Sequence, residues 1–358
     1  MKIVFTIPSL GFGGAERVVS ILANKMSESH EVSIILVSGK KEVRYQISEK
    51  VELILLEQKK NSVKTWLNYR RVCKKLAPDV NIAFLSDIGA VATMFLIGTG
   101  IPVIISERND PSGADQTPSI PVKILQKIAT CFCKGYVFQS EGARSFYPQR
   151  ARRNSCIILN PLEIEKMPKR ETDRIDNRIV SVGRLHAQKN HKMLINAFAN
   201  SKAKDTHTLH IYGEGVLRDE LSELITSLEM NDRIFLEGNS KQVHEDIKNS
   251  KLFVFTSDYE GLPNALMEAM VMGIPCISTD CSPGGARMLI DDRENGILIP
   301  CGDVERLTAE LDNVVCGAYD LESMGNKAKL LAEKTNADQI VNEWIKNIKK
   351  FKEVKEKI

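Results

Sequence analysis

The strongest constraint on this chain is an alternation of strand-like and helical stretches that starts twice. Apolar, β-rich runs at 2–8 (KIVFTIP), 31–37 (EVSIILV), 51–56 (VELILL), 80–85 (VNIAFL), 103–106 (VIIS) and 135–140 (GYVFQS) are separated by helical patterns such as AERVVSILANKM and VKTWLNYRRVCKKL. Strands this apolar need cover on both faces, which helices crossing over a parallel sheet supply, so the runs read as βαβ units. After a stretch rich in Pro and charge, CIILNPLEIEKMPKRETDRIDN at 156–177, the pattern restarts with RIVSVG, TLHIYG, RIFLEG, LFVFTS and PCISTD. We therefore expect an α/β chain of two Rossmann-like, doubly wound domains, residues 1–163 and 164–340. Ligands in such open sheets sit beyond the carboxyl ends of the strands, and two such domains imply a cleft between them. The length of 358 residues agrees, because single cores stop growing at about 250–300 residues.

The net charge of +3 hides an asymmetry. Residues 1–160 carry 22 Lys and Arg against 13 Asp and Glu, a net +9, and the remainder carries −6. The basic half is suited to an anionic partner such as a membrane leaflet or a lipid phosphate, with its densest cluster at Lys59, Lys60, Lys64, Arg70, Arg71, Lys74 and Lys75. A nucleic-acid binder is disfavoured, because aromatics make up only 6% of the chain. Eight cysteines without a C-x-x-C pair read as reduced thiols of a cytosolic protein. The N-terminus reads as a first strand, having no signal-peptide pattern. Residues 88–105 lack charge over eighteen positions, yet Gly98, Gly100 and Pro102 divide them into a buried helix and a short strand instead of a membrane span.

Four loops fall at predicted strand ends. In SLGFGGAERVV, Gly11, Gly13 and Gly14 let the backbone approach a phosphate at a helix start, although the spacing is not the dinucleotide fingerprint G-x-G-x-x-G. In SVGRLHAQKNHKMLINAFA, Arg184 and Lys189 enter the loop before a helix over 191–200 and fit a diphosphate. His186 and His191 are also there, but they have no third ligand for a metal. In ISERND, Glu107, Arg108, Asn109 and Asp110 crowd a buried strand's end.

The fourth loop, DYEGLPNALMEAMVMG, carries Glu260 and Glu268, with Pro263 suited to the first helical position and Gly273 to the position after the helix. Eight residues span about 12 Å if fully helical. Carboxyl pairs that hydrolyse one glycosidic bond stand about 5–9.5 Å apart, so these two more readily grip separate hydroxyl-rich groups. The helix start between them, around Gly261 and Leu262, favours an anion. Sugar, phosphates, sugar is the outline of a nucleotide sugar.

The chain resembles the retaining glycosyltransferases of family 4, whose GT-B fold sets two Rossmann-like domains face to face. The resemblance rests on GGAERVV, GRLHAQKN, IYGEGVLRDEL and the E-x7-E pair Glu260 and Glu268, in this order along nearly the whole chain, and ISERNDP resembles the subgroup that builds bacterial surface polysaccharides and lipid-linked oligosaccharides. It implies transfer of a hexose or N-acetylhexosamine from a UDP-sugar to a glycan or lipid-diphosphate-linked acceptor. Arg184 and Lys189 would stabilise the departing diphosphate, and Glu260 would position the transferred sugar. The donor would also meet Gly13, Gly14, Gly183, Gly238, Asn239, Gly261, Leu262 and the ribose-binding Glu268. Glu107, Arg108 and Asn109 would lie on the acceptor side. A C-terminal helix at about 341–358 would return to the first domain, and such enzymes lie on the inner membrane surface through that domain.

No metal or other cofactor is expected: two aspartates separated by one residue, the device that holds a divalent ion in other transferases, occur nowhere in the chain. Two positions depart from the family pattern. Arg108 stands where relatives carry a His, and Arg cannot act as a base at neutral pH. Met288, three residues after Gly285, stands where relatives carry a Glu. A non-catalytic subunit that supports a partner transferase remains an alternative, as does a dinucleotide-dependent oxidoreductase, which would leave E-x7-E without a use.

Overall fold

A computed structural model describes residues 1–353 apart from 12, 39–42, 57–62 and 112–119. The chain forms two compact units, Met1–Glu163 with Lys334–Ile358, and Ile164–Glu333. The first is built on a seven-stranded sheet of β1 (Lys2–Ile7), β2 (Glu31–Leu36), β3 (Val51–Leu55), β4 (Val80–Phe84), β5 (Val103–Ser106), β6 (Gly135–Phe138) and β7 (Ser155–Ile157), in the order β3-β2-β1-β4-β5-β6-β7. The second holds β8 (Arg178–Val182), β9 (Thr208–Tyr212), β10 (Ile234–Gly238), β11 (Leu252–Phe255), β12 (Cys276–Thr279) and β13 (Ile297–Ile299), in the order β10-β9-β8-β11-β12-β13. The strand pairs are parallel, as strands joined by helical crossovers require.

Both sheets reverse strand order beside their first strand. β1 pairs with β2 and β4, and β8 pairs with β9 and β11. At such a reversal the two crossovers leave in opposite directions and open a crevice at the carboxyl ends. The loops after β1 and β8, which carry Gly13, Gly14, Arg184 and Lys189, are delivered to those positions.

Residues 86–106 are divided as their glycines and proline suggested, into a helix Ser86–Leu96 and the interior strand β5. No helix of the described residues is long and apolar enough to cross a membrane. The edge strands β7 and β13 escaped the sequence reading, because three residues are too few to display a period. All eight cysteines are free.

The sequence reading ended the second domain at 340, whereas the chain rejoins the first unit from Lys334. Leu162 N donates to Thr335 O (2.7 Å) and Ala337 N to Leu162 O (3.0 Å), which anchors the crossing. The helix Ala337–Glu353 then buries Ile340, Trp344, Ile348 and Phe351 in one cluster with Phe5, Ile82 and Phe84. Burial of these four side chains stabilises the first unit by roughly 6–12 kcal/mol before the cost of ordering the helix.

Candidate active site

In the second unit, the loops after β8 and β11 are stitched together by backbone and side-chain hydrogen bonds. Asp258 N donates to Gln188 O (2.9 Å), Thr256 Oγ1 to Lys189 O (3.0 Å), and Asn190 Nδ2 to Asp258 Oδ1 (2.9 Å). Asn190 adopts a left-handed conformation (φ 45°), and its Oδ1 accepts from Met193 N, so it turns the loop and caps the helix His191–Asn200. The IYGEG stretch backs this loop. A side chain at Gly213 would reach within 2.1 Å of Gly183 O, and one at Gly215 within 2.3 Å of Leu185 O. Glycine at both positions therefore lets the segment after β9 lie directly under Gly183–Leu185.

This stitching brings Lys189 and Glu260 into contact. Lys189 Nζ donates to Glu260 Oε1 and lies 4.9 Å from the centroid of the Phe255 ring. Gln188 Nε2 (3.2 Å) and Ser257 Oγ (3.3 Å) reach the same oxygen. Among the described residues no donor reaches Oε2. The carboxylate is thus fixed through one oxygen and presents the other as a free acceptor. The pair is mostly buried, with 16% of the Lys189 and 13% of the Glu260 side chain exposed. The sequence reading gave Lys189 and Glu260 separate tasks, but the structure makes them one charge pair. Arg184 stays exposed, with Nη2 3.4 Å from Gln188 Oε1.

Glu260 is held by its backbone as well, its N–H donating to Ser282 O (2.9 Å). The following turn packs against Gly285, where a Cβ would come within 2.2 Å of Gly261 O. The helix carrying Glu268 runs Asn264–Met272, one residue later than expected: Pro263 is its extended N-cap, with no side-chain cap bond. Leu262 is buried. Glu268 is 5% exposed, and its Oε2 lies 2.9 Å from His244 Nε2 on the short helix Val243–Ile247. Gly238 (φ 75°) ends β10 and accepts from Gly213 N, which leaves Asn239 exposed at the strand's carboxyl end.

Burial sets the protonation of two neighbours. His191 lies under this loop, and desolvation together with the Lys189 charge lowers its pKa to about 4, so the ring is neutral. The Cys281 thiol is pushed up by burial and by the Glu260 charge and stays protonated.

In the first unit, Gly13 is extended (φ 178°) and precedes the helix Gly14–Met26, and Tyr45 Oη donates to Gly13 O (3.0 Å). The ISERND stretch divides by strand alternation. Glu107 and Asn109 line a cavity of about 610 Å³ at the carboxyl ends of β4 and β5, together with Ser86, Lys123, Lys127 and Tyr147. Glu107 Oε1 accepts from Arg108 N and Asn109 N, and Oε2 from Tyr147 Oη. Arg108 points the other way, which corrects its assignment to the acceptor side. It is 6% exposed and lies 5.0 Å from the Phe84 centroid and 5.6 Å from that of Trp344, with bonds to Ser106 Oγ and Asn160 Oδ1. It braces the returning helix inside the unit, where burial lowers its pKa to about 9.

Of the basic cluster, Lys64, Arg71, Lys74 and Lys75 are exposed on the helix Val63–Leu76. Arg70 instead binds the carbonyls of Phe95 and Ile97, and Lys59 and Lys60 fall outside the described residues. Met288 is 42% exposed. The sequence reading did not single out Gln188, Ser257 or His244. Gln188 lies inside GRLHAQKN and was legible by adjacency, whereas nothing in the spacing of His244 links it to Glu268.

The family description "Glycosyl transferases group 1" matches residues 163–331. A Campylobacter jejuni GalNAc-α-(1→4)-GalNAc-α-(1→3)-diNAcBac-PP-undecaprenol α-1,4-N-acetyl-D-galactosaminyltransferase is 28% identical over 98% of this chain and 99% of its own length. An N-acetylgalactosamine-N,N'-diacetylbacillosaminyl-diphospho-undecaprenol 4-α-N-acetylgalactosaminyltransferase of the same organism is 29% identical over 96% and 98%. Among solved structures, Anabaena HepE in complex with UDP superposes with a TM-score of 0.82 at 17% identity, covering 98% of this chain and all of that one. That likeness establishes the fold, which is GT-B.

Proposed function

We infer that this chain, whose residues 163–331 match the glycosyl transferases group 1 family, moves a hexose or N-acetylhexosamine from a UDP-sugar to a glycan or lipid-diphosphate-linked acceptor. The observation that carries this reading is Glu260, clamped through Oε1 by Lys189, Gln188 and Ser257 while Oε2 remains open to an outside donor such as a sugar hydroxyl. Two near-full-length relatives whose names specify undecaprenol-diphosphate-linked substrates, and a UDP complex of the same fold, support the choice of donor and acceptor.

In this mechanism the bond between the anomeric carbon and the donor phosphate oxygen breaks as the acceptor oxygen attacks from the same face, which retains configuration. The acceptor hydroxyl's proton passes to the departing phosphate oxygen. Arg184 and Lys189 offset the charge that develops on the diphosphate without a metal, and Glu260 positions the sugar. Glu268 takes the ribose hydroxyls, and Gly183, Gly261 and Leu262 border the phosphates. Gly238 and Asn239 lie toward the base. The acceptor enters along the cavity at Glu107 and Asn109, and the exposed Lys64, Arg71, Lys74 and Lys75 draw the enzyme to anionic leaflets.

A thermal-shift screen with UDP, UDP-glucose, UDP-galactose and UDP-N-acetylhexosamines tests the donor. Stabilisation by UDP and one of its sugars is expected. No stabilisation by any nucleoside diphosphate or its sugars sinks the reading, and an inverted product anomer in NMR sinks the stereochemistry. Flotation with anionic liposomes that is unchanged after Lys64, Arg71, Lys74 and Lys75→Ser refutes the membrane contact.

A further inference from the structure

The second unit has a cavity at the opposite end of its sheet. It measures about 280 Å³ and is lined by Arg170, Thr172, Lys251, Gly273, Asn326 and Lys329, with Glu322 at its edge. Lys251 immediately precedes β11 and Pro275 immediately precedes β12, so the cavity opens at the amino ends of these strands. Glu260 and Ser282 follow the carboxyl ends of the same two strands. The two sites are therefore separate.

The charge balance of this cavity is unusual. Three cations border it, and all are at least partly buried, against one exposed carboxylate, Glu322. Arg170 Nη1 is buried and has no hydrogen-bond partner among the described residues. The acid whose charge Arg170 feels, Asp176, is already occupied, accepting from Arg178 N (2.9 Å) and Arg178 Nε (2.8 Å). Burial lowers the Arg170 pKa to about 10, which leaves it charged at neutral pH. Lys329 is held in place, since its chain lies where a side chain on Gly273 would project (2.1 Å from a Cβ to Cε). A buried guanidinium nitrogen without a partner is costly, and an oxyanion is the ligand that satisfies it. Thr172 and Asn326 add neutral donors.

We propose that this cavity is a second anion site, which takes a phosphate group as inorganic phosphate or as a small phosphate ester. Its volume corresponds to about nine waters, enough for a phosphate with a compact substituent.

Calorimetric titration of the full chain saturated with UDP, which fills the donor site, tests the assignment. Inorganic phosphate and a hexose phosphate serve as separate probes. One saturable phosphate per chain is expected, weakened by about tenfold or more in Arg170→Gln, Lys251→Gln and Lys329→Gln, with UDP affinity unchanged within about twofold. Tighter binding of the hexose phosphate identifies an ester as the ligand, and equal binding identifies the free ion. If Arg170→Gln does not fold, the two lysine variants carry the test. Absence of saturable binding in the wild type overturns the proposal, as does equal weakening by the control Lys349→Gln, at an exposed position of the last helix. Failure of UDP itself to bind strikes the donor reading instead, and the phosphate titration is then read without UDP.

Discussion

Replacing Glu260 by Gln separates two roles of one carboxylate. The change keeps the shape and removes the charge that holds Lys189. Breaking one partner of a buried ion pair costs about 3–5 kcal/mol, and the residual exposure of both side chains, with the Phe255 ring beside the ammonium, brings this to about 2–3 kcal/mol. Lys189→Met should cost a similar amount, since Gln188 and Ser257 still reach Oε1. The double variant removes both charges and should cost about 2 kcal/mol less than the sum of the two single changes. Both tryptophans, Trp66 and Trp344, belong to the first unit, so indole fluorescence does not report on this site. Unfolding of the second unit has to be followed by hydrogen exchange in the helix His191–Asn200. For turnover, Glu260→Gln should lower kcat by about 10²–10³, the scale of one lost transition-state contact, with little change in donor affinity. Glu268→Gln should mainly weaken the donor. A coupling below about 0.5 kcal/mol would refute the clamp. Equal loss of kcat in both glutamate variants, with donor binding intact, would return the pair to an acid–base role.

Three further outcomes follow from the geometry. His244→Ala should raise the donor KM by about tenfold with kcat nearly kept, and His244→Gln should recover part of the loss by restoring a donor to Glu268; an unchanged KM in steady-state kinetics would show that His244 does not orient it. Arg108→Met removes the donor to Ser106 Oγ, one of the two donors to Asn160 Oδ1 and both ring contacts, and should destabilise the first unit by about 2–4 kcal/mol, read from the Trp344 emission during urea unfolding. His191 has a folded pKa lowered to about 4, below its unfolded value, so its contribution is complete above about pH 6.5 and is lost as the pH falls toward 4, by about 3 kcal/mol at most. His191→Asn should flatten the pH dependence of second-unit stability in that window, and an unaltered slope would disprove it.

The alternation of strands and helices and the glycine-rich loops at strand ends were legible because parallel strands need apolar residues on both faces and glycine or proline at their ends. β7 and β13 were not, since an edge strand of three residues carries no period. The candidate site could be named where its residues share a loop or a helix spacing, as with Arg184 and Lys189, or Glu260 and Glu268. It was not legible where contact depends on two separate elements, as between His244 and Glu268. ISERND shows the limit of reading polarity as function. Polar residues at a buried strand's end can face a cavity, as Glu107 and Asn109 do, or turn inward, and only the register distinguishes Arg108 from its neighbours.

The return of the last helix to the first unit bears on how the chain is made. Ile340, Trp344, Ile348 and Phe351 complete a core whose other buried members, from Ile3 to Ile158, are synthesised far earlier, and Gly135 is kept bare so that the Phe351 ring can lie against β6. During translation the first unit therefore waits with an open flank while residues 164–333 emerge and close their own core. The half that is made first is finished last, and a chain truncated before residue 337 would leave a seam of apolar strand surface for chaperones to hold.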